Sequence, residues 1–586
     1  MGQPSQATLN EKTDEHIVRI PTEDGFIKGT LPRIAGIVPL AAWFIVVNEF
    51  CERFAFYGGS AVFQNYVSGD EEPGSLEKSQ SVATALSNYF TFFAYFTPLI
   101  GAVVADQYLG KYRTILVFSV IYMLGWIVLT ITSIPTSTDG DFHTYGAAAF
   151  PGYIAAITII GLGTGGIKSV VSPMCADQIP KEAYTVTKNG RQYIVDPDLT
   201  VQHLYNWFYW AINVGAMVGQ VVCVKLERNA FWQAYLVPAC MFVLSIAIFV
   251  AGTKRYKKEV PEGSIILVAW KCIRYGMARR NANPTAVSVP AGTNFKFLEW
   301  SEPIPGESPS EASKRTWDAN FPKELRQTLK ACSIFPLMSI YWVCYSQMLN
   351  NFISQAGQMK RPHWLDNDLV SMLDPIALVI LIPLFDSFIY PFLTKHKIEF
   401  GYIKRIAVGF LLGALSMIYA SVLQKKIYET GPNFDFVDRT EEELDLQPYN
   451  NISVFLQFPA YLLIALSEIF ASIGSLEYSY THAPTKMKCL ISALALLPNA
   501  AASLIGLFLS PLAKDPTLTW MYAGAGIAAF IATIAFWFLY RKFDDEDLAL
   551  KRAAVAAETS SPSGDTPAPA YVGKAEAEAD ERVHVR

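Results

Sequence analysis

Apolar runs long enough to cross a lipid bilayer recur along most of this chain, and no other feature limits its fold as strongly. A helical crossing takes roughly 20 residues, and its backbone polar groups must be satisfied within the segment. Twelve such runs can be drawn. They lie at about 35–66, 80–105, 113–134, 146–174, 201–225 and 231–252, then 330–355, 368–394, 403–424, 451–481, 487–510 and 517–540. Composition agrees: 52% of the 586 residues are hydrophobic and 17% are charged, whereas a soluble domain carries about 25% charge. The reading is an all-α membrane protein.

The connecting loops alternate in charge. Lys111 and Arg113 follow the second run, Lys181, Lys188 and Arg191 the fourth, and Lys254, Arg255, Lys257 and Lys258 the sixth. Lys395, Lys404 and Arg405 follow the eighth, Lys486 and Lys488 the tenth, and Arg541 and Lys542 the twelfth. Loops after odd runs are acidic or neutral, with Asp70, Glu71 and Glu72, Asp139 and Asp141, and Asp435 with Asp445. Basic loops stay in the cytoplasm, so both termini are expected there. The division is a cytoplasmic tail at 1–34, a six-helix bundle at 35–252, a cytoplasmic linker at 253–329, a second bundle at 330–541 and a disordered tail at 542–586.

Segment 264–280 of the linker is apolar with Lys271, Arg274, Arg279 and Arg280. It fits a helix lying on the inner leaflet and equally a helix packed under the bundle. The polar start of the chain has no signal-peptide core. The eight cysteines lie in apolar runs or the basic linker, so neither a disulfide framework nor a zinc site is expected. Asn451 opens an Asn-Ile-Ser glycosylation sequon in an outside loop. Asp106, Gly110 and Lys111 close the second run, and Asp386, Lys395 and Arg405 take the matching place after the eighth. Two halves with corresponding cytoplasmic motifs suggest a rocking carrier.

The first run holds Glu49, Glu52 and Arg53. A charge at the bilayer centre costs about 2.5–3.5 kcal/mol on insertion scales unless it faces a polar interior. Spacings of three and four put the three on one helix face, with Tyr57 a turn beyond. An acid beside an arginine is held ionised, and moving the cation reverses that, so the set suits a proton switch. It also suits a structural salt bridge. The fourth run delivers Lys168 after Gly161, Gly163, Gly165 and Gly166. Those glycines satisfy GxGxxG but lack a preceding strand, and they miss the P-loop by one residue, so close helix packing is the better reading. Asn213 in the fifth run fits a cross-helix hydrogen bond or a ligand contact. Glu468 in the tenth is a buried acid in the half opposite Arg53 and Lys168. A cavity cationic on one wall and anionic on the other suits a zwitterion.

These motifs together resemble the proton-dependent oligopeptide transporter family of the major facilitator superfamily, in a fungal form. The family's ExxERFxYYG pattern stands at 49–58, and a second signature at 101–111. FYxxINxG stands at 208–215, the GTGGIK run ends at Lys168, and Leu476 to Tyr480 with Ala483 and Pro484 also match. The resemblance implies twelve transmembrane helices in two six-helix bundles. It implies proton-coupled symport of di- and tripeptides by alternating access, with no cofactor and the proton gradient as driving force. The expected partners are the lipid bilayer, a small peptide and protons, with no nucleic acid, and the expected site is the plasma membrane.

By the same resemblance Glu49, Glu52 and Arg53 couple protons. Arg53 and Lys168 receive the peptide carboxylate, and Asn213 and Glu468 the amino end. Tyr57, Tyr95 and Ser472 line the pocket, while Asp106, Gly110 and Lys111 form a cytoplasmic gate motif. Several positions depart from the family pattern. Phe56 replaces a tyrosine, Ser60 an arginine and Asn88 a histidine of animal members; Ser346 stands for the span-seven acid that pairs with the lysine. Asp374 stands where asparagine is usual and Ala495 where tryptophan is common, and Asp374 is a candidate replacement partner for Lys168. The alternatives are a same-fold proton-coupled carrier of an amino-acid derivative, nitrate or secondary metabolite, and a peptide-sensing receptor. An enzyme is not supported: there is no HExxH or GxSxG pattern.

Overall fold

The computed structural model describes residues 33–560, apart from 70–73, 140–141, 189–190, 262, 283–294, 304–314, 390–391, 393–394, 397–400, 438–448, 483 and 485–486. Span one is Leu40–Ala61, continued after a turn at Val62 by Phe63–Ser68. Spans two to six are Gln80–Val104, Gly110–Thr132, Ala149–Lys168, Pro197–Glu227 and Phe231–Ala251. Span seven is Phe335–Ser346 followed by Asn351–Gly357, and span eight is Leu373–Leu384. Span nine is Tyr402–Tyr428. Span ten runs through Phe458–Ser467, a π-helical stretch Glu468–Ile473, and Gly474–Thr481. Spans eleven and twelve are Lys488–Leu509 and Leu518–Ser560.

Among the described residues, eight continuous helical stretches are long and apolar enough to cross a membrane by length and composition, and one of them, Gln80–Thr132, holds both spans two and three. Spans one, seven and eight fall outside that set for physical reasons. The first carries Glu49, Glu52 and Arg53, and the other two are interrupted into shorter pieces. Ionisable groups and broken helices inside a membrane are tolerated where they face protein or a cavity.

Glycines set the spacing of the first half. A Cβ on Gly163 would lie 2.5 Å from the Cβ of Tyr122 in span three, and one on Gly165 would lie 2.3 Å from Thr97 Oγ1 in span two. The glycine run of span four is therefore a packing surface, as the failed nucleotide patterns suggested. Gly219 of span five likewise meets the Phe54 carbonyl. The first half has one continuous core, including Trp126, Tyr153 and Tyr235. The second is built around Phe352, Tyr461 and Tyr522 at its outer end and Tyr341, Phe410 and Phe536 at its inner end. Between the halves, spans two and eleven are the main line of contact.

Among the described residues three small sheets interrupt the all-α pattern. Arg33–Ile34 pairs in parallel with Ile194 and Val195 of a hairpin formed by Tyr184–Lys188 and Arg191–Val195. Ser137–Asp139 and Phe142–Thr144 make a second hairpin, and Met359–Lys360 pairs with Asn450–Ser453. Asn451 lies on that last strand with its side chain exposed. Helix Ile265–Ala282 is packed under the bundle. Ala269, Cys272 and Leu298 cluster with Leu325, Met487 and Leu490, leaving Trp270 and Met277 exposed. The helix of span twelve continues to Ser560, so 542–560, read as tail, are helical; their Ala, Leu, Lys and Glu favour it. The remainder of that tail, 561–586, and most of the N-terminal tail lie outside the described residues.

Candidate functional site

Span one presents its ionisable face to the interior. Glu49, Glu52 and Arg53 are 4%, 0% and 4% exposed. Arg53 Nε donates to Glu49 Oε1 over 2.9 Å and lies 2.6 Å from Glu52 Oε2. One guanidinium thus holds two carboxylates, the arrangement that the three-and-four spacing predicts. Glu49 Oε2 and Glu52 Oε1 are buried without a hydrogen-bond partner among the described residues.

Lys168, at the end of span four, reaches the same chamber. Its Nζ has no hydrogen-bond partner among the described residues. It stands 3.5 Å from the centroid of the Tyr95 ring and 5.8 Å from that of Phe56. Arg53 lies 5.6 Å from the Phe56 centroid. Both cations therefore lie within reach of the Phe56 ring, which attracts each. The charges of Glu52 and Glu49 act on Lys168, but neither reaches it as an ion-pair partner. Ser346 offers no replacement: its hydroxyl donates to the Val343 carbonyl of its own helix.

The opposite wall comes from the second half. Glu468 begins the π-helical stretch of span ten, and Asp374 stands in the first turn of span eight, 3% exposed. The Tyr345 hydroxyl of span seven faces both carboxyl groups. Asp374 is thus a neighbour of Glu468, and among the described residues it makes no ion pair with Lys168, the role for which it was one candidate. Ser472 lies four residues after Glu468, but the wider π turn rotates it off the strict helical register. Tyr57 lies within electrostatic range of Arg53 and Glu468, and Tyr209 within range of Glu468 and Asp374. These tyrosines bridge the walls. Asn213 makes its hydrogen bond within its own helix, Nδ2 donating to the Tyr209 carbonyl over 2.8 Å.

Tyr345, Tyr209 and Asn499, which meets Tyr95, were not singled out from the sequence. A tyrosine or asparagine in an apolar run carries no signal of which helices converge on it. Asn88, the histidine position of animal members, donates to Thr84 O and lies against Gly506 of span eleven.

The chamber is closed on its outer side. Thr84 Oγ1 donates to Asn351 Oδ1 over 2.9 Å, and Gln64 Nε2 to Ser354 Oγ over 3.1 Å. Asn65 and Asn367 exchange amide hydrogen bonds of 3.1 and 3.0 Å. Asp366 takes Lys225 at 2.5 Å together with Arg228. At the inner side Lys111 pairs with Asp177 and, at 3.4 Å, with Glu259, while Lys181 reaches Glu259 at 2.7 Å. Gly110 makes the turn before this clasp with φ +74°, a conformation that favours glycine. The clasp joins the span two–three turn to the linker and the end of span four, within the first half. The side chain of Asp386, its expected counterpart, lies outside the described residues.

Two helical halves latched at their outer end, with Arg53 and Lys168 buried in one and Glu468 and Asp374 facing inward from the other, are the build of an alternating-access membrane carrier. Residues 112–540 match the sequence profile of PTR2, the POT family. A probable peptide transporter, ptr2, of Schizosaccharomyces pombe is 43% identical over 531 residues, 89% of this chain and 81% of that one. The peptide transporter PTR2 of Saccharomyces cerevisiae is 37% identical over 534 residues, 90% and 83% of the two chains. The crystal structure of the POT family transporter PepTSo superposes with a TM-score of 0.65 at 22% identity, covering 87% of this chain and 99% of that one. The chain belongs to the POT family and has its major facilitator fold.

Proposed function

We propose that this protein carries di- and tripeptides into the cell together with protons, by alternating access, across the plasma membrane with both termini cytoplasmic. The observation that carries the reading is the pair of opposed walls: Arg53 and Lys168 from the first half, Glu468 from the second. Each matches one end of a zwitterion. The relatives named as peptide transporters support the same cargo.

In this reading the peptide carboxylate is taken by Lys168, whose ammonium, among the described residues, is held by ring faces alone and so is available. The amino end is taken by Glu468 and Asn213, with Tyr57 in electrostatic range of Glu468 and Ser472 lining the pocket. Glu49 and Glu52 compete with the incoming carboxylate for Arg53. A proton arriving on Glu52 releases half of the grip on Arg53, which then turns toward the substrate. Proton and peptide thereby assist each other's binding, the reciprocal coupling that symport requires. The proton gradient and membrane potential supply the work, about 2.3 kcal/mol per charge per 100 mV. The exposed Asn451 sequon is a glycosylation site in this topology, which a glycosidase mobility shift lost in Asn451→Gln would register. Uptake of labelled dialanine by cells expressing the chain tests the cargo. Uptake stimulated by external acid and competed by other dipeptides is expected. No uptake across a panel of dipeptides sinks the reading.

A further inference from the structure

Two acids face the chamber on its second-half wall. Asp374 Oδ1 and Glu468 Oε2 are both buried without a hydrogen-bond partner among the described residues. The two groups face the same Tyr345 hydroxyl and act on each other electrostatically, and neither has an ion-pair partner among the described residues. A buried carboxylate left without a cation is strongly unfavourable. Here two converge from different helices, span eight and span ten, so they are not an accident of one helix face. The chamber as a whole repeats the imbalance. Arg53 and Lys168 stand against Glu49, Glu52, Glu468 and Asp374, a net −2 when all are ionised. Arg53 is already shared by Glu49 and Glu52. Lys168 has no ion pair among the described residues and lies on the other wall, a single charge against two acids.

Resting on the peptide reading above, we infer that Asp374 is a specificity-determining residue: with Glu468 it forms a two-carboxyl wall that selects peptides with a basic side chain at their amino end. A neutral dipeptide brings one ammonium to two acids. A peptide beginning with lysine or arginine brings two cations, its amino terminus and its side chain, while its carboxylate still goes to Lys168. Tyr209 and Tyr57, on the first-half side of the gap, provide an uncharged aromatic border along which the side-chain stem can pack.

The test is uptake of Lys-Ala against Ala-Ala, each labelled, by the wild-type chain and by Asp374→Asn and Asp374→Glu. Asparagine is nearly isosteric with aspartate, and surface labelling checks the amount at the membrane. The wild type is expected to prefer Lys-Ala. Asp374→Asn is expected to lower the Lys-Ala to Ala-Ala ratio by about tenfold, the loss of one strong charge contact, and Asp374→Glu to retain most of it. A wild type with no preference for Lys-Ala overturns the inference even if the variants fail to fold, and so does a ratio unchanged in Asp374→Asn. Both of those outcomes leave peptide transport standing. A wild type that carries neither dipeptide overturns the peptide reading itself.

Discussion

The Lys168 ammonium sits 3.5 Å from the centroid of the Tyr95 ring, a cation resting on an aromatic face with no acid paired to it among the described residues. A desolvated contact of this kind is worth about 2 kcal/mol. It holds the lysine in place without neutralising it, which suits a group that must accept a carboxylate. Tyr95→Leu is therefore expected to raise the apparent KM for dialanine by roughly tenfold. Tyr95→Phe keeps the face and should stay close to wild type. Equal effects of the two substitutions would show that the hydroxyl, through Asn499, matters and the ring does not.

Glu52 is the acid closest to Arg53, at 2.6 Å, and is fully buried. Glu52→Gln retains its shape but removes its charge. Accumulation driven by a proton gradient should be abolished, while exchange of labelled for unlabelled peptide across the membrane persists. Unchanged accumulation in this variant would take Glu52 out of the coupling role.

Asp366 latches the outer side by holding Lys225 and Arg228 of the opposite half. Both basic side chains are near half exposed, so each pair contributes on the order of 0.5–1 kcal/mol. Asp366→Asn should shift molecules toward the outward-open form. Spin labels at the exposed outer positions Ile134 and Phe508, one on each half, should report a larger population of long distances. An unaltered distribution would mean that the amide contacts of Asn65, Asn367, Thr84 and Asn351 close the outer side by themselves.

The clasp at the inner side answers to pH in a definite direction. The hydrogen bond from Lys181, then the charge of Lys111, hold the Glu259 carboxyl below its ordinary value of 4.5. A depressed value in the folded state means that its stabilisation is fully present above the ordinary value. It is lost only as the pH falls through the lower, folded one. Glu259 is 41% exposed, so the contribution is small. Glu259→Gln should lower the melting temperature slightly at neutral pH and leave the shape of the uptake–pH curve unaltered. A displaced curve would place Glu259 in the coupling path.

What was legible in the sequence was what depends on local spacing. Glu49, Glu52 and Arg53 meet because three- and four-residue steps share a helix face, and the glycines before Lys168 pack because they lack side chains. Charge alternation needs only the identity of the loops. The acid pair was different. Asp374, Glu468 and Tyr345 come from spans eight, ten and seven, and nothing within any one of those segments says that they converge. The π-helical turn at Glu468–Ile473 leaves no trace in hydropathy, so the direction of Ser472 relative to Glu468 could not be read from an α-helical register. Charge alone left Asp374 a candidate partner for Lys168, whereas in the fold it lies beside another acid. Continuation of the last helix to Ser560 was hidden behind a composition shared by helices and polar tails.

The most direct test of coupled transport uses the purified protein in liposomes loaded at neutral pH and diluted into acidic buffer containing labelled dialanine. Proton-coupled symport predicts that the peptide rises inside well above its outside concentration and falls back when a protonophore collapses the gradient. Simple equilibration, the same with and without the gradient, would contradict it.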